Sequence, residues 1–290
     1  MDNLRGAALM VAAMLAFALE DMLIKLMAAA LPVGQIIGML GVGSAAVIGV
    51  ILTVQKQALF SRDMLTPAIA IRLVGELVGS MGFVTAIALI PLSTASAILQ
   101  ATPLFVTLGA ALFLQESVGW RRWVAILVGF CGVLLIIRPG LDGFSWQSLF
   151  ALQGVVGLGV RDLATRRVPR HTSSLQLSFL AFLVLIPAAA GLMWVNGSHI
   201  TDLSPINWVY FGFAVLIGVV AYYGIVSAMR MGEVSFVTPF RYSRIVFALF
   251  VGVLVFGERP DTLTLVGASI IVGSGLYTLW RERNVRANAA

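Results

Sequence analysis

Charged residues are scarce in this chain, and their scarcity excludes most classes of soluble protein. Of the 290 residues, 11% are charged and 60% are hydrophobic, and the mean hydropathy is +0.99. Soluble domains contain about 25% charged and roughly 45–50% apolar residues, so a globular chain of this length could not cover its apolar surface. Disorder is excluded as well, because disordered chains are poor in apolar residues. We infer that lipid surrounds most of the chain.

Cysteine and histidine are almost missing, and so are the motifs of catalysis. Cys131 is the only cysteine, which excludes an intrachain disulfide and a thiolate metal cluster. His171 and His199 fall in predicted loops, and the sequence has no His-Glu-x-x-His, Gly-x-Ser-x-Gly or Walker motif. We therefore predict that the protein has no metal, no cofactor and no enzymatic activity.

Long apolar runs dominate what is present. A spanning helix needs about 20 mostly apolar residues, and the gaps between the runs are too short for a soluble domain. The sequence therefore predicts an all-α integral membrane protein of ten transmembrane helices, embedded in a lipid bilayer. The predicted helices cover residues 5–29, 33–54, 67–89, 93–114, 120–138, 146–166, 174–195, 207–229, 234–256 and 261–281.

Basic residues are in excess, with a net charge of +6, and their distribution predicts the orientation of the chain. They lie in the short breaks between apolar runs and not on one soluble face, so nucleic acid is not a predicted partner. Most of them fall on the side of the membrane that carries the N-terminus. By the positive-inside rule, both termini are predicted to be cytoplasmic.

An internal repeat divides the chain into two halves. Glu116 aligns with Glu258 at an offset that also pairs Ser93 with Ser235, and in both copies a helix with small polar residues precedes a short Glu-bearing break. The predicted halves, residues 1–141 and 142–290, form one membrane domain. Five helices in each half is an odd number, so the second half enters the membrane upside down. Inverted repeats are typical of transporters.

The clearest copy of the repeat is Ile90 to Gly140, IPLSTASAILQATPLFVTLGAALFLQESVGWRRWVAILVGFCGVLLIIRPG. Its small-residue helix, Pro103 and Glu116 resemble the drug/metabolite transporter superfamily, in its ten-helix EamA-type branch, and residues 231–281 resemble a second copy. This resemblance implies two inverted five-helix repeats around a central cavity, in a bacterial inner membrane. Within the family, the chain is similar to bacterial amino-acid exporters, including those for aromatic amino acids.

Charges within the predicted helices are candidates for a substrate site, because each costs at least about 2.5–3.5 kcal/mol to insert and so faces the protein interior. Arg241 and Arg244 lie three residues apart in the ninth helix, roughly 10–15 Å from its start. Two guanidinium groups there suit a carboxylate or phosphate, and Tyr242 adds a hydroxyl. The alternative is that each arginine pairs with an acidic residue of another helix.

Helices 1 and 3 supply charges of the opposite sign. Glu20 has no obvious partner in its own helix, whereas Asp21 and Lys25 are four apart and are predicted to neutralise each other. Arg72 is predicted to snorkel to the cytoplasmic side. Glu76, four residues further on, is predicted to be either a ligand or a carboxylate at a close helix contact. A site with both arginine and glutamate fits a zwitterion.

Aromatic, amide and proline residues complete the predicted site. Pro103 and Pro239 lie inside helices 4 and 9, where proline removes a backbone hydrogen bond and permits a kink; a hinge and a static kink are both open. The predicted walls of the cavity are Phe17, Gln100, Tyr222 and Tyr223.

The predicted function is a secondary transporter or facilitator that exports amino acids or similar small zwitterions by alternating access. Helices 1, 3, 4, 6, 8 and 9 are predicted to line its cavity. Transport of anionic metabolites or drugs is the alternative in the same class. A sensor, or an enzyme using a carboxylate pair from Glu20, Asp21 and Glu76, is the alternative in another class. The oligomeric state stays open.

Overall fold

The computed structural model describes residues 2–61, 64–113, 119–141, 144–169, 171–231 and 237–289, and throughout these ranges the regular structure is helical. Our predicted breaks at Glu116 and Glu233, and the aligned Ser235, lie outside the described residues. A 3-10 segment covers Thr238–Tyr242. The α-helices are α1 Asp2–Ala28, α2 Val33–Val54, α3 Pro67–Leu89, α4 Leu92–Leu99, α5 Thr102–Phe113, α6 Trp120–Ile137, α7 Ser148–Thr165, α8 Ser174–Val195, α9 Pro205–Met231, α10 Ser243–Phe256 and α11 Thr262–Ala289.

The ten predicted membrane crossings are confirmed. Within the described residues, eight segments are long and apolar enough to cross a membrane, and Trp123–Ile137 is a shorter apolar helix. The remaining crossing, α7, is less apolar because it contains Arg161 and Asp162. Two crossings are interrupted: the fourth is divided into α4 and α5, and the ninth starts with the 3-10 segment. We call the end of the bundle at which α1 finishes the far end.

Helix boundaries follow local capping chemistry. The Thr66 side chain accepts a hydrogen bond from the Ile69 amide at 3.3 Å, and Pro67 occupies the first turn of α3, where its missing N–H costs nothing. Ser173 and Gln176 form a capping box at the start of α8, which satisfies two of the amides that a helix start leaves unpaired. Gly257 ends α10 with a φ of 62°, a left-handed conformation that glycine adopts without steric cost.

The two halves interdigitate. The largest helix packings are α3 on α7, α1 on α9, α2 on α8 and α6 on α11, and each joins a helix of the first half to one of the second. Counted as crossings, these are third on sixth, first on eighth, second on seventh and fifth on tenth. If each crossing is replaced by the one five further along, with counting resumed at one after ten, the same four pairs result. An approximate twofold axis that relates the two halves requires this. The boundary at residues 141 and 142 stays a prediction.

The packing of α3 on α7 brings backbone against backbone. A Cβ on Gly157 would overlap the amide nitrogen of Gly79, and would lie 2.5 Å from the Gly79 Cα and 2.9 Å from the Gly75 carbonyl oxygen. In lipid, helices associate through such small-residue contacts, because the hydrophobic effect does not drive them together. The close approach at Gly75 and Gly79 is therefore what places α7 and its charges beside α3.

We predict that Gly157→Ala destabilises the folded protein. The atoms that a new methyl group would meet are backbone atoms, which cannot rotate away, and overpacking typically costs about 1–3 kcal/mol. The melting temperature in detergent should therefore fall. Gly191→Ala in α8 is the matched control, since nothing lies within 4 Å of a Cβ built there. Equal melting temperatures for the two variants would contradict the backbone contact.

Candidate functional site

The fourth crossing is interrupted at Gln100 and Ala101, between α4 and α5. Pro103 has no N–H to donate to the Leu99 carbonyl one turn earlier, and the Thr102 hydroxyl donates to that carbonyl instead, at 2.6 Å. The structure thus has a helix break next to Pro103, where a kink was predicted. A hinge at Pro103 stays a prediction.

The two interrupted crossings meet at their irregular segments. Pro239 lies at the start of the 3-10 segment, and a hinge there likewise stays a prediction. The Gln100 side-chain amide donates to the Arg241 carbonyl at 3.2 Å, so the break in the first half contacts the break in the second. Irregular backbone at membrane depth is tolerated only where protein buries it or where it lines a cavity, and in transporters such breaks mark the substrate site.

Arg244 binds one carboxylate and lies beside two aromatic rings. Its Nη2 lies 2.7 Å and 2.9 Å from the two oxygens of Asp21, and its Nε lies 3.2 Å from Oδ2. The guanidinium carbon lies 5.0 Å from the Phe17 ring centroid and 5.2 Å from that of Phe83. This is the alternative in which the arginine pairs with an acid of another helix. It leaves little of Arg244 for a ligand.

Arg241 is more loosely engaged than Arg244. Its Nη2 lies 4.0 Å from Asp162 Oδ2, at the limit of an ion pair, and its side chain is 29% exposed. Asp162 binds Arg161 more closely, at 2.8 Å. Arg161 reaches Glu76 Oε1 at 3.3 Å. A row of alternating charges therefore runs from the contact between the two interrupted helices into the α3–α7 interface. It consists of Arg241, Asp162, Arg161 and Glu76.

Arg72 lies inside the bundle, and the prediction that it snorkels to the surface is wrong. It is 2% exposed, and its guanidinium donates to the Thr165 hydroxyl at 3.1 Å, the Leu177 carbonyl at 3.1 Å and the Tyr222 hydroxyl at 2.9 Å. Three acceptors replace the water that snorkelling would have supplied. Tyr222 is thus brought into the polar interior through Arg72.

Glu20 differs from the other interior carboxylates. Asp21, Glu76 and Asp162 each face an arginine within 4 Å. Within the described part of the chain, no hydrogen bond or ion pair engages Glu20, whose longer-range electrostatic neighbours are Asp21 and Arg244. Its side chain is half-buried, against α9.

Two predicted site residues, one from the cavity wall and one hydroxyl donor, lie away from this group. Tyr223 is 63% exposed, one residue from Tyr222 but on a different face of α9. Tyr242 is buried with its hydroxyl against Gly275 of α11, and among the described residues that hydroxyl has no hydrogen-bond partner. The structure therefore brings together Glu20, Phe17, Gln100, Arg241 and Arg244 near the crossing, with Glu76 and Tyr222 connected through arginines.

Sequence reasoning missed the charged pair of α7. Neither Arg161 nor Asp162 is among the candidate charges taken from the sequence. An adjacent Arg-Asp pair inside a predicted spanning segment was the available signal, because intramembrane charges normally face the interior. The side chains of Arg161 and Asp162 are 18% and 25% exposed, so protein atoms do not fully enclose the pair.

Glu258 binds the start of α4 at the far end. Its carboxylate accepts hydrogen bonds from the Leu92 amide at 2.5 Å, the Ser93 amide at 3.0 Å and the Ser93 hydroxyl at 2.6 Å. The amides at a helix start are unpaired and carry partial positive charge, so an anion is stabilised there. Glu258 belongs to the second half and α4 to the first.

Lys25 binds the end of α3 beside Glu258, and the prediction that it pairs with Asp21 is wrong. Its ammonium donates to the carbonyls of Ile87 at 3.0 Å and Ile90 at 2.6 Å, and it lies 3.9 Å from Glu258 Oε1. The turn between α3 and α4 is therefore held from both sides, by a cation on helix carbonyls and an anion on helix amides. We call Lys25, Glu258 and Ser93 the far-end clamp.

A second ion pair at the far end joins α6 to α11. Arg138 binds the Asp261 carboxylate, which also accepts a hydrogen bond from the Thr264 amide at 2.8 Å. The Arg138 hydrogen bond, followed by that of Thr264, lowers the pKa of Asp261 to about 2. The carboxylate therefore stays ionised at physiological pH.

Comparison with known proteins shows one family over both halves. The EamA-like transporter family model matches residues 4–138 and again residues 145–280. A solved crystal structure superposes with a TM-score of 0.61, covering 92% of this chain and 97% of that chain. Its sequence identity is 17%, so this likeness shows the fold alone.

Curated relatives carry several different names. A riboflavin transporter of Vibrio cholerae is 31% identical over 208 residues, 68% of this chain and 67% of that protein. An S-adenosylmethionine uptake transporter of Rickettsia bellii is 27% identical, covering 71% of this chain and 69% of that protein. A pseudopaline exporter of Pseudomonas aeruginosa is 30% identical over 281 residues, 92% of this chain and 93% of that protein. The group includes both uptake and export proteins.

We predict that Asp21→Ala destabilises the protein more than the double change Asp21→Ala with Arg244→Met. Removing one partner of a buried pair leaves the other charge uncompensated, which typically costs about 3–5 kcal/mol of stability. We expect a loss of this order for Asp21→Ala. Methionine in place of Arg244 removes that charge and keeps contact with Phe17 and Phe83. Melting temperatures in detergent test this order. A double variant no more stable than Asp21→Ala would contradict the assigned pairing.

Proposed function

We propose that this chain, which belongs to the EamA-like transporter family, is a secondary transporter that carries a small zwitterionic metabolite through the crossing of its two interrupted helices. Amino acids and their derivatives are the first candidates. The proposed membrane is the bacterial inner membrane, with both termini cytoplasmic because the basic residues favour that side. The proposed direction is export.

The observation that carries this proposal is the pair of loosely engaged, opposite charges near the crossing. Arg241 has a contact of 4.0 Å to Asp162, which a substrate carboxylate could replace with a charge-assisted bidentate pair. Glu20 has no hydrogen-bond or ion-pair partner in the described part of the chain, and would accept the ammonium group. A zwitterion brings both groups at once, so neither protein charge is left uncompensated.

The relatives are compatible with this class without identifying one substrate. S-adenosylmethionine, for which the Rickettsia bellii protein is named, is itself an amino-acid derivative. The second candidate is a flat neutral metabolite such as riboflavin, favoured by the 31% identity to the Vibrio cholerae protein. A neutral ring system would use the aromatic side chains near the crossing and would not need Arg241 or Glu20.

For alternating access, we propose that the far-end clamp closes one side of the transport path. The clamp joins α1, the α3–α4 turn and the segment after α10, and so connects the two halves. Opening the far end would separate Glu258 from the amides of α4. Opening would also separate buried apolar side chains that pack around the clamp, among them Ile90 and Leu92.

The transport test is counterflow of labelled substrate into liposomes that contain only this protein. We expect accumulation of amino acids, or of S-adenosylmethionine, above protein-free liposomes. Arg241→Gln and Glu20→Gln should each reduce it at least roughly tenfold, the value of one lost hydrogen bond to a charge. Arg121→Gln, which removes an exposed arginine at the start of α6, is the control.

The outcomes separate the candidates. Riboflavin accumulation that both variants leave unchanged would favour the neutral substrate and contradict the zwitterion site. Zwitterion accumulation unaffected by either variant would support transport and reject Arg241 and Glu20 as its ligands. Chemical conversion of the label would indicate an enzyme.

We predict that Glu258→Gln opens the far end more often. The probe is Ala95→Cys in a Cys131→Ser background, at a position buried in α4. With Glu258→Gln added, this cysteine should react about tenfold faster with a membrane-impermeant thiol reagent than without it, because one charged interaction is lost. Lys25→Met should act in the same direction. Asp261→Asn alters a far-end carboxylate outside the clamp and should change the rate less. Equal labelling of Glu258→Gln and wild type would reject the clamp as a closure.

A further inference from the structure

The Glu20 carboxylate lies directly over Gly218 of α9. A Cβ at residue 218 would overlap Glu20 Oε1, and would lie 2.8 Å from Cδ and 3.2 Å from Oε2. These three nearest atoms all belong to one carboxyl group. The space that a side chain at 218 would fill is therefore the space in which the Glu20 carboxylate sits.

Gly218 does not act as a helix-packing glycine. At the α3–α7 interface, a Cβ on Gly157 would meet backbone atoms of the facing helix. At Gly224, in the same helix as Gly218, a Cβ would meet the Ala13 side chain at 3.1 Å, and nothing of α1 nearer. Helices α1 and α9 thus approach without needing glycine at 218 for backbone contact. What the glycine accommodates is the carboxylate.

The neighbouring contacts leave the Glu20 side chain as the part that can move. Asp21, the next residue, is held by three hydrogen bonds from Arg244, which fixes the α1 backbone at this level. A carboxylate at the end of a flexible side chain can rotate away from a new methyl group at low cost. A small side chain at 218 would therefore redirect Glu20 and leave the bundle intact.

We infer that Gly218 is a specificity-determining residue, which positions the Glu20 carboxylate to receive the cationic group of the substrate. This rests on the proposed transport of a zwitterion and adds a requirement to it. With glycine at 218 the carboxylate lies against α9, next in sequence to the Asp21 that pairs with Arg244, and its side chain is half-buried. With a larger residue the carboxylate would be displaced from that position, and the ammonium group would lose its partner.

The test compares Gly218→Ala with Gly212→Ala, a glycine of the same helix with nothing within 4 Å of an added Cβ. In proteoliposomes, we expect Gly218→Ala to raise the KM for the transported zwitterion roughly tenfold, as for a lost hydrogen bond to a charge. Its melting temperature and maximal rate should stay close to those of wild type. Gly212→Ala should change neither constant.

Rescue distinguishes positioning from general damage. Aspartate is one methylene shorter than glutamate, so its carboxylate clears a methyl group at 218. Glu20→Asp alone should raise the KM less than Gly218→Ala does, because its carboxylate is closer to α1 but keeps its direction. Gly218→Ala combined with Glu20→Asp should therefore have about the KM of Glu20→Asp, below that of Gly218→Ala alone.

Three results would overturn the inference. A wild-type KM in Gly218→Ala would reject it and leave the proposed transport standing. A fall in melting temperature as large as that of Gly157→Ala would show a packing glycine. A wild type that accumulates no zwitterion would reject the proposed function and this inference together.

Discussion

An ionised side chain in the hydrocarbon region needs a partner of opposite charge or several hydrogen bonds, and this requirement organises the interior of the bundle. Most of the partners found here come from the opposite half of the chain. Asp21 in the first half binds Arg244 in the second, and Arg72 finds all three of its acceptors in the second half. The same is true of Glu76 with Arg161, Lys25 with Glu258 and Arg138 with Asp261.

A polar interface between two halves has mechanical consequences. Helices in lipid gain little from burying apolar surface, so small-residue contacts and polar pairs decide their arrangement. The glycine contacts of α3 and α7 are rigid, since they join backbone to backbone. The charged contacts join side chains, and Arg161 contacts the carboxylates of Glu76 and Asp162 at once. A bundle built this way can keep some helix pairs as rigid units while others move, which alternating access requires.

Within one family fold, relatives carry the names of different substrates. The relatives share their architecture with this chain and are named for riboflavin, S-adenosylmethionine and pseudopaline. Fold therefore does not identify the substrate, which depends on the side chains of the site. Here Arg244 binds Asp21 through Nε and Nη2, Arg241 lies 4.0 Å from Asp162, and Glu20 has no hydrogen bond or ion pair among the described residues, which is why Arg241 and Glu20 are the proposed ligands.

By itself, the sequence determined the ten crossings, the two-half plan and the location of a helix break near Pro103, because apolar run length, repeated spacing and a missing amide are local properties. It did not determine the ion pairs. Asp21 has Lys25 one turn away, yet it binds Arg244, 223 positions along the chain. Tyr222 faces the interior and Tyr223 does not, although both looked equally suited to a cavity wall. The partner of each charge and the direction of each tyrosine depend on how closely the helices approach one another. Glycine contacts between distant segments decide that approach, so only the tertiary structure could decide these features.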